Sequence, residues 1–217
     1  RGSYPHDVLR DVAGLGFETV VQPGDLDVIS SPIDALGVNY YHGDYVSAHP
    51  GARELTTQAP SERPKRSPFP AAHGVYFHPR GLPLTAMDWE VQPEGLTRLL
   101  QRVHTEYTRD AGIALSVTEN GAAYDDVVAA DGTVHDGDRV AFLEAHLGAC
   151  LDAIEAGVAV HGYFYWSLLD NFEWAWGYEK RFGIVRVDYA TQKRTPKDSA
   201  IAYTRIIAAR ALPFSAG

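Results

Sequence analysis

The chain has 217 residues, 45% of them apolar and 11% aromatic, which supports a globular core and excludes a disordered chain. Its formal net charge of −9 excludes the clustered basic surface that nucleic-acid binding needs. No run approaches the roughly eighteen uninterrupted apolar residues of a membrane-spanning helix, the opening RGSYPHDVLR has no apolar signal core, and one cysteine, Cys150, cannot build a disulfide framework; together these predict a cytoplasmic chain.

Three segments read as buried strands, each followed after a connection by a helical pattern. The first is Ile33 to Tyr41 (IDALGVNYY). Leu96, Leu99, Leu100, Val103 and Tyr107 then fall on one helical face behind Pro93-Glu94. The second strand is Ile113 to Thr118, followed by a helix whose inward face is predicted to carry Leu143, Leu147, Cys150, Leu151 and Ile154. Asp136 and Asp138 favour the start of that helix, and Gly157 ends it. The third strand is Val158 to Leu168. Thr195-Pro196 then opens a segment in which Tyr203, Ile206 and Ile207 can face inward. Strands alternating with helices imply parallel pairing, because parallel strands need a crossover.

The connections are unequal. Helix-to-strand joins are short, Asp110-Ala111-Gly112 and Ala156-Gly157, while the first strand-to-helix join runs from His42 to about Gln92. Elaboration beyond the carboxyl ends of the strands is where open α/β sheets and (β/α)8 barrels build their sites. Asn39, Tyr40 and Tyr41 stand at the first strand end, Glu119 at the second and Trp166 at the third. By itself Glu119 in SVTENG has two readings. It is a solvated residue before an Asn120-Gly121 turn that exploits positive φ, or a carboxylate held in place for chemistry. Past the third strand, DNFEWAWGYEKRFG interleaves Phe172, Trp174, Trp176 and Tyr178 with Asp170, Asn171, Glu173 and Glu179. Aromatic faces beside carboxylates and amides suit a carbohydrate, whose C–H faces stack on indole while its hydroxyls need charged or amide partners.

LGVNYY, MDWEVQPEGL, SVTENGAAYDD and GYFYWSLLDNFEWAWGYEKRFGIVRVDY, in this order, resemble the carboxyl-terminal half of glycoside hydrolase family 1, the β-glucosidase family. The resemblance implies an α/β fold, a (β/α)8 TIM barrel of which residues 1–217 form the carboxyl-terminal portion, strands 6 to 8. It implies a retaining β-glycosidase acting on small β-glucosides or cello-oligosaccharides, without cofactor or metal. Glu119 matches the catalytic nucleophile, and Tyr41 the tyrosine that hydrogen-bonds and orients it. Asn39 belongs to the same pocket. Glu173 matches the residue that grips the sugar's outer hydroxyls, with Trp166, Trp174 and Phe182 around it. Trp89 matches a residue of the aglycone entrance; a loop anchor is the alternative.

The family's acid/base glutamate belongs to a Thr-x-Asn-Glu-Pro motif, and no Asn-Glu-Pro occurs in this sequence. A retaining pair stands roughly 5–5.5 Å apart, and neither Glu90 nor Glu94 lies at a strand end. The resemblance therefore implies that the acid/base residue, and the amino-terminal half of the barrel as partner, lie outside this sequence. Two other readings compete. A phospho-β-glycosidase would use Lys180, but Glu173 repels a phosphate dianion and Phe182 lacks a hydroxyl. A non-catalytic sugar-binding module would keep the aromatic pocket and dispense with the second carboxylate.

Overall fold

The structure, a computed structural model, describes residues 2–48, 65–66, 69, 71–72 and 74–213. Most of the proline-rich part of the long first join thus lies outside the described residues. In chain order the elements are α1 (His6–Asp11), α2 (Asp25–Ile29), β1 (Ala35–Asn39), β2 (Val46–Ser47), β3 (Lys65–Arg66), β4 (Tyr76–Phe77), α3 (Pro93–Val103), β5 (Ala114–Asn120), α4 (Gly137–Glu155), β6 (Val160–Tyr165), β7 (Val185–Val187), β8 (Arg194–Pro196) and α5 (Asp198–Ala209). They fall into two compact units, Arg1–Asp34 with Asp44–Gly81, and Ala35–Gly43 with Leu82–Gly217.

The first unit holds α1, α2 and a small antiparallel sheet in the order β2-β4-β3. Tyr4 meets Phe17 edge to face at 5.0 Å, and the Ser47 hydroxyl lies 2.7 Å from His78 Nε2.

The second unit is built on a parallel sheet in the order β1-β5-β6, as the strand–helix alternation predicts. One face of it carries the core. Val38, Tyr40, Leu115 and Val117 from the sheet pack with Leu96 and Leu100 of α3 and Ala149, Cys150 and Ala153 of α4. Each fully buried leucine here contributes about 1.5–3 kcal/mol by leaving water. The Thr97 hydroxyl donates to the Ala149 carbonyl across the two helices, 3.0 Å. Gly112 and Gly157, both at positive φ, make the two tight returns into the next strand. β1 and β6 form the two edges of this sheet, and Phe164 on β6 is exposed.

Three inward faces differ from the sequence expectation. The helix of α3 continues into a π-helical turn, His104–Thr108. Its wider turn delays the apolar repeat by one residue, so Thr108 is buried and Tyr107 is exposed. On α4 the buried residues are Arg139, Phe142, Leu143, His146, Ala149, Cys150 and Ala153, of which the last three pack with the sheet, while Leu151 and Ile154 are exposed. On α5, Ile207 is exposed, and Tyr203 is partly buried with its hydroxyl donating to the Tyr163 carbonyl at 3.2 Å.

Candidate active site

The site lies wholly within the second unit, at the carboxyl ends of β1, β5 and β6. Strand alternation sends Tyr40 and Tyr41 to opposite sides. Tyr40 is buried, its hydroxyl donating to the Gln92 carbonyl at 2.8 Å, and Tyr41 turns toward the strand ends. The same rule would put Glu119 on the core face with Leu115 and Val117. It does not lie there, because β5 carries one extra residue. Val38 pairs with Val117 but Asn39 pairs with Glu119, and Asn120 is the next β5 residue to pair with β6. This bulge at Thr118 re-aims the strand. Asn120, not Glu119, enters the core, fully buried, donating to the Tyr40 carbonyl at 2.6 Å and accepting from the Tyr163 hydroxyl at 2.6 Å. One amide therefore joins all three strands directly behind Glu119.

Asn120-Gly121 is accordingly not the turn expected from its composition, and Gly121 is absent from the positive-φ positions. A glycine is required at 121 because the Trp166 backbone carbonyl passes so close that any Cβ would collide with it. The Trp166 N–H donates to the Asn120 carbonyl at 2.9 Å, which brings the second and third strand ends together.

Glu119 is partly buried and its Oε2 accepts from the Tyr41 hydroxyl at 2.7 Å. Burial and the adjacent Glu119 carboxylate drive the Tyr41 pKa far above the ordinary phenol value, so Tyr41 is a proton donor throughout the working pH range. Its ring meets Trp89 at 5.5 Å and Phe182, edge to face, at 6.1 Å. Trp89 also stacks on His42 at 5.0 Å and lies 6.0 Å from Phe182. Phe182 is almost fully buried. Asn39 accepts from the Thr118 hydroxyl at 2.7 Å, an arrangement that Gly37 allows by leaving room for Thr118.

Glu173 opens a 3-10 turn, Trp174–Trp176, and its N–H donates to the Gly177 carbonyl at 2.6 Å. Its pKa is raised, first by burial and then by the charge of Glu119, so the two carboxylates sense one another electrostatically. Trp174 is 82% exposed, with φ +42, an uncommon region for a side chain of this size. The structure thus gathers Glu119, Tyr41, Trp89 and Phe182 in contact, places Asn39 and Trp166 at the adjoining strand ends, and leaves the Trp174 ring open to solvent.

Sequence reasoning missed the layer beneath. Asp170, expected among the sugar-facing polar groups, is buried. Its Oδ1 accepts from Gly183 N–H (3.1 Å) and Lys197 (3.0 Å), and its Oδ2 from Arg181 (2.5 Å). Lys197 also pairs with Asp126, and Arg139 pairs with Asp126 at 2.8 Å and with Asp136. Asp136 takes the Ser199 N–H at 2.9 Å rather than capping α4. Three cations and three carboxylates close a neutral network. The sequence signal was the conjunction of Asp126, Asp136 and Asp170 with Arg139 and Lys197, which no one of these residues carries singly. Lys180 is similarly committed, donating to the Ala86 carbonyl at 2.6 Å and lying 5.0 Å over the Trp176 ring. Among the described residues, no group of three His, Cys, Asp or Glu side chains could hold a metal ion, and no helix is long and apolar enough to cross a membrane.

The site is a carboxylate held by a phenol at the end of a central parallel strand, among aromatic rings. The profile of Glycosyl hydrolase family 1 matches residues 1–212. The chain belongs to glycosyl hydrolase family 1. It is 45% identical over 207 residues to Beta-glucosidase A of Thermotoga maritima, covering 95% of this chain and 41% of that protein. It is 43% identical to the Bifunctional beta-D-glucosidase/beta-D-fucosidase of Bifidobacterium breve, covering 96% of this chain and 44% of that one. Among solved structures, the psychrophilic beta-glucosidase BglU from Micrococcus antarcticus superposes with a TM-score of 0.86 at 54% identity, covering 97% of this chain and 45% of that chain. The family 1 β-glucosidase from Thermotoga maritima, solved in complex with isofagomine lactam, gives 0.79 at 43% identity. Members of this family are (β/α)8 barrels, and the chain spans less than half the length of these relatives. Among the described residues, the three parallel strands of its larger sheet account for only part of an eight-stranded barrel.

Proposed function

We propose that this chain supplies the carboxyl-terminal part, strands 6 to 8, of a retaining β-glucosidase that removes terminal β-D-glucosyl residues from small β-glucosides or cello-oligosaccharides. The observation that carries the reading is the 2.7 Å hydrogen bond from Tyr41 to Glu119 at the strand ends of a family 1 sheet. Glu119 attacks the anomeric carbon, the C1–O bond to the aglycone breaks, and a glycosyl-enzyme ester forms. Water then displaces the ester and returns Glu119 as carboxylate. Both steps need a second carboxyl group, first to protonate the leaving oxygen and then to deprotonate water. Among the described residues no candidate for it stands at a strand end, so the reading assigns it to the polypeptide that completes the barrel across the edges formed by β1 and β6. Glu173 and Asn39 hold glycone hydroxyls, Trp166 and Trp174 offer stacking faces, Phe182 backs the pocket, and Trp89 lines the aglycone side. Glu173, a carboxylate where a phosphate would have to sit, favours the unphosphorylated sugar.

The test joins this chain to the amino-terminal segment of a family relative. The joined enzyme should hydrolyse 4-nitrophenyl β-glucoside, whereas the 217-residue chain alone should not. A 2-deoxy-2-fluoroglucosyl fluoride should label the joined enzyme once, on Glu119 by peptide mapping, and Glu119→Gln should abolish labelling while sugar binding persists. Labelling that survives this substitution removes Glu119 as nucleophile. Sugar binding without turnover in a properly joined, folded enzyme favours the non-catalytic reading.

A further inference from the structure

Arg139 is fully buried, and its guanidinium reaches in two directions at once. Its Nε donates to the Ala122 carbonyl at 3.2 Å, three residues after Glu119. Its Nη2 donates to the Arg181 carbonyl at 2.9 Å, next to Phe182 and at the far end of the loop that carries Glu173. The remaining nitrogen is held by Asp126 at 2.8 Å and by Asp136, and the ring of Tyr124 lies 5.6 Å away. Asp170 and Lys197 fasten the same loop at its base: Asp170 begins it, binds Gly183 N–H at its end, and is tied through Lys197 to Asp126. A planar fork with fixed angles between its N–H groups is the side chain suited to spanning two carbonyls while two carboxylates hold it. An ammonium, a single point donor, cannot span them.

We propose that Arg139 is a positioning residue that sets the separation of Glu119 and Glu173 by bracing the Ala122 carbonyl against the Arg181 carbonyl. The inference rests on reading Glu119 and Glu173 as the substrate-facing carboxylates. It adds a specific cause for their spacing, one that lies on α4, outside the site. The charge of Glu119 felt at Glu173 is the gauge, since that coupling changes with the distance between them.

The experiment titrates the Glu173 carboxyl by 13C NMR in the folded 217-residue chain, assigned with Glu173→Gln, in a double-mutant cycle. In the native chain Glu119→Gln should lower the Glu173 pKa. In Arg139→Lys, which keeps the charge and loses the fork, the same substitution should lower it by less than half as much. Asp126→Asn perturbs the network but leaves both carbonyl bonds, and should preserve the native coupling. Unchanged coupling in Arg139→Lys overturns the proposal, as does equal loss in Asp126→Asn, which would mean general loosening. A measurement that needs no variant stands beside these. Scalar couplings through the hydrogen bonds should connect Arg139 Nε to the Ala122 carbonyl carbon and Nη2 to that of Arg181, and the absence of either also overturns it. Failure of the functional reading looks different: the fluoro-sugar label would be missing from Glu119 while the carboxyl coupling remained.

Discussion

Replacing Tyr41 with phenylalanine removes one oxygen from the site and leaves its ring contacts with Trp89 and Phe182 available. The lost bond is short, partly buried and made to a carboxylate, the class that contributes about 1.5–3 kcal/mol. Its strength follows the charge on Glu119. On the proposed mechanism, an ester oxygen accepts weakly and a carboxylate strongly, so the bond strengthens as the glycosyl-enzyme breaks down and charge returns to Glu119. Tyr41→Phe should therefore slow deglycosylation by about 10- to 150-fold, the rate equivalent of that energy. In the joined enzyme kcat should fall by that factor, KM should fall with it as the ester accumulates, and nitrophenol should appear in a burst approaching one equivalent. Because Tyr41 stays protonated throughout the working range, the defect should not diminish as the pH is raised. A kcat within twofold of native, or a loss with raised KM and no burst, would refute the assignment of this bond to the return of charge on Glu119.

Two further outcomes test the scaffold. His146 is fully buried, its Nδ1 donates to the Phe142 carbonyl at 2.8 Å, and its Nε2 has no partner; burial holds its pKa down at about 4. With an unfolded value of about 6.5, its contribution is complete above that pH and is lost as pH falls toward 4, about 2.5 kcal/mol by pH 4.5. Urea melts should show the native chain losing that much more stability than His146→Leu between pH 7 and 4.5, and parallel losses would contradict it. Gly121→Ala should cost about 1–3 kcal/mol or more, because the obstacle is the Trp166 backbone and not a movable side chain. A urea midpoint equal to the native one would show that the strand ends separate easily.

The parallel α/β alternation was legible because apolar spacing and the glycine returns at 112 and 157 both reflect local geometry. So was the pairing of Glu119 with Tyr41, through the family resemblance. What escaped was set by long-range constraints. Alternation alone directs Glu119 to the core, and only pairing across both neighbouring strands reveals the bulge at Thr118. The π-turn that exposes Tyr107 is a backbone choice which the helical repeat does not encode. Asn120-Gly121 has the composition of a turn, yet its residues serve a buried amide and a close backbone crossing. Asp170 looked like a sugar ligand because it sits among aromatics, and its true partners, Arg181 and Lys197, are 11 and 27 residues further on.

The ionic layer beneath the loops sums to zero, so the entire formal excess of nine negative charges is carried outside it. Dissolved salt reaches that outer population and scarcely penetrates the dry one. Ionic strength thus acts as a dial on mutual repulsion at the exterior, while the braces under the strand-end site keep their grip at any setting.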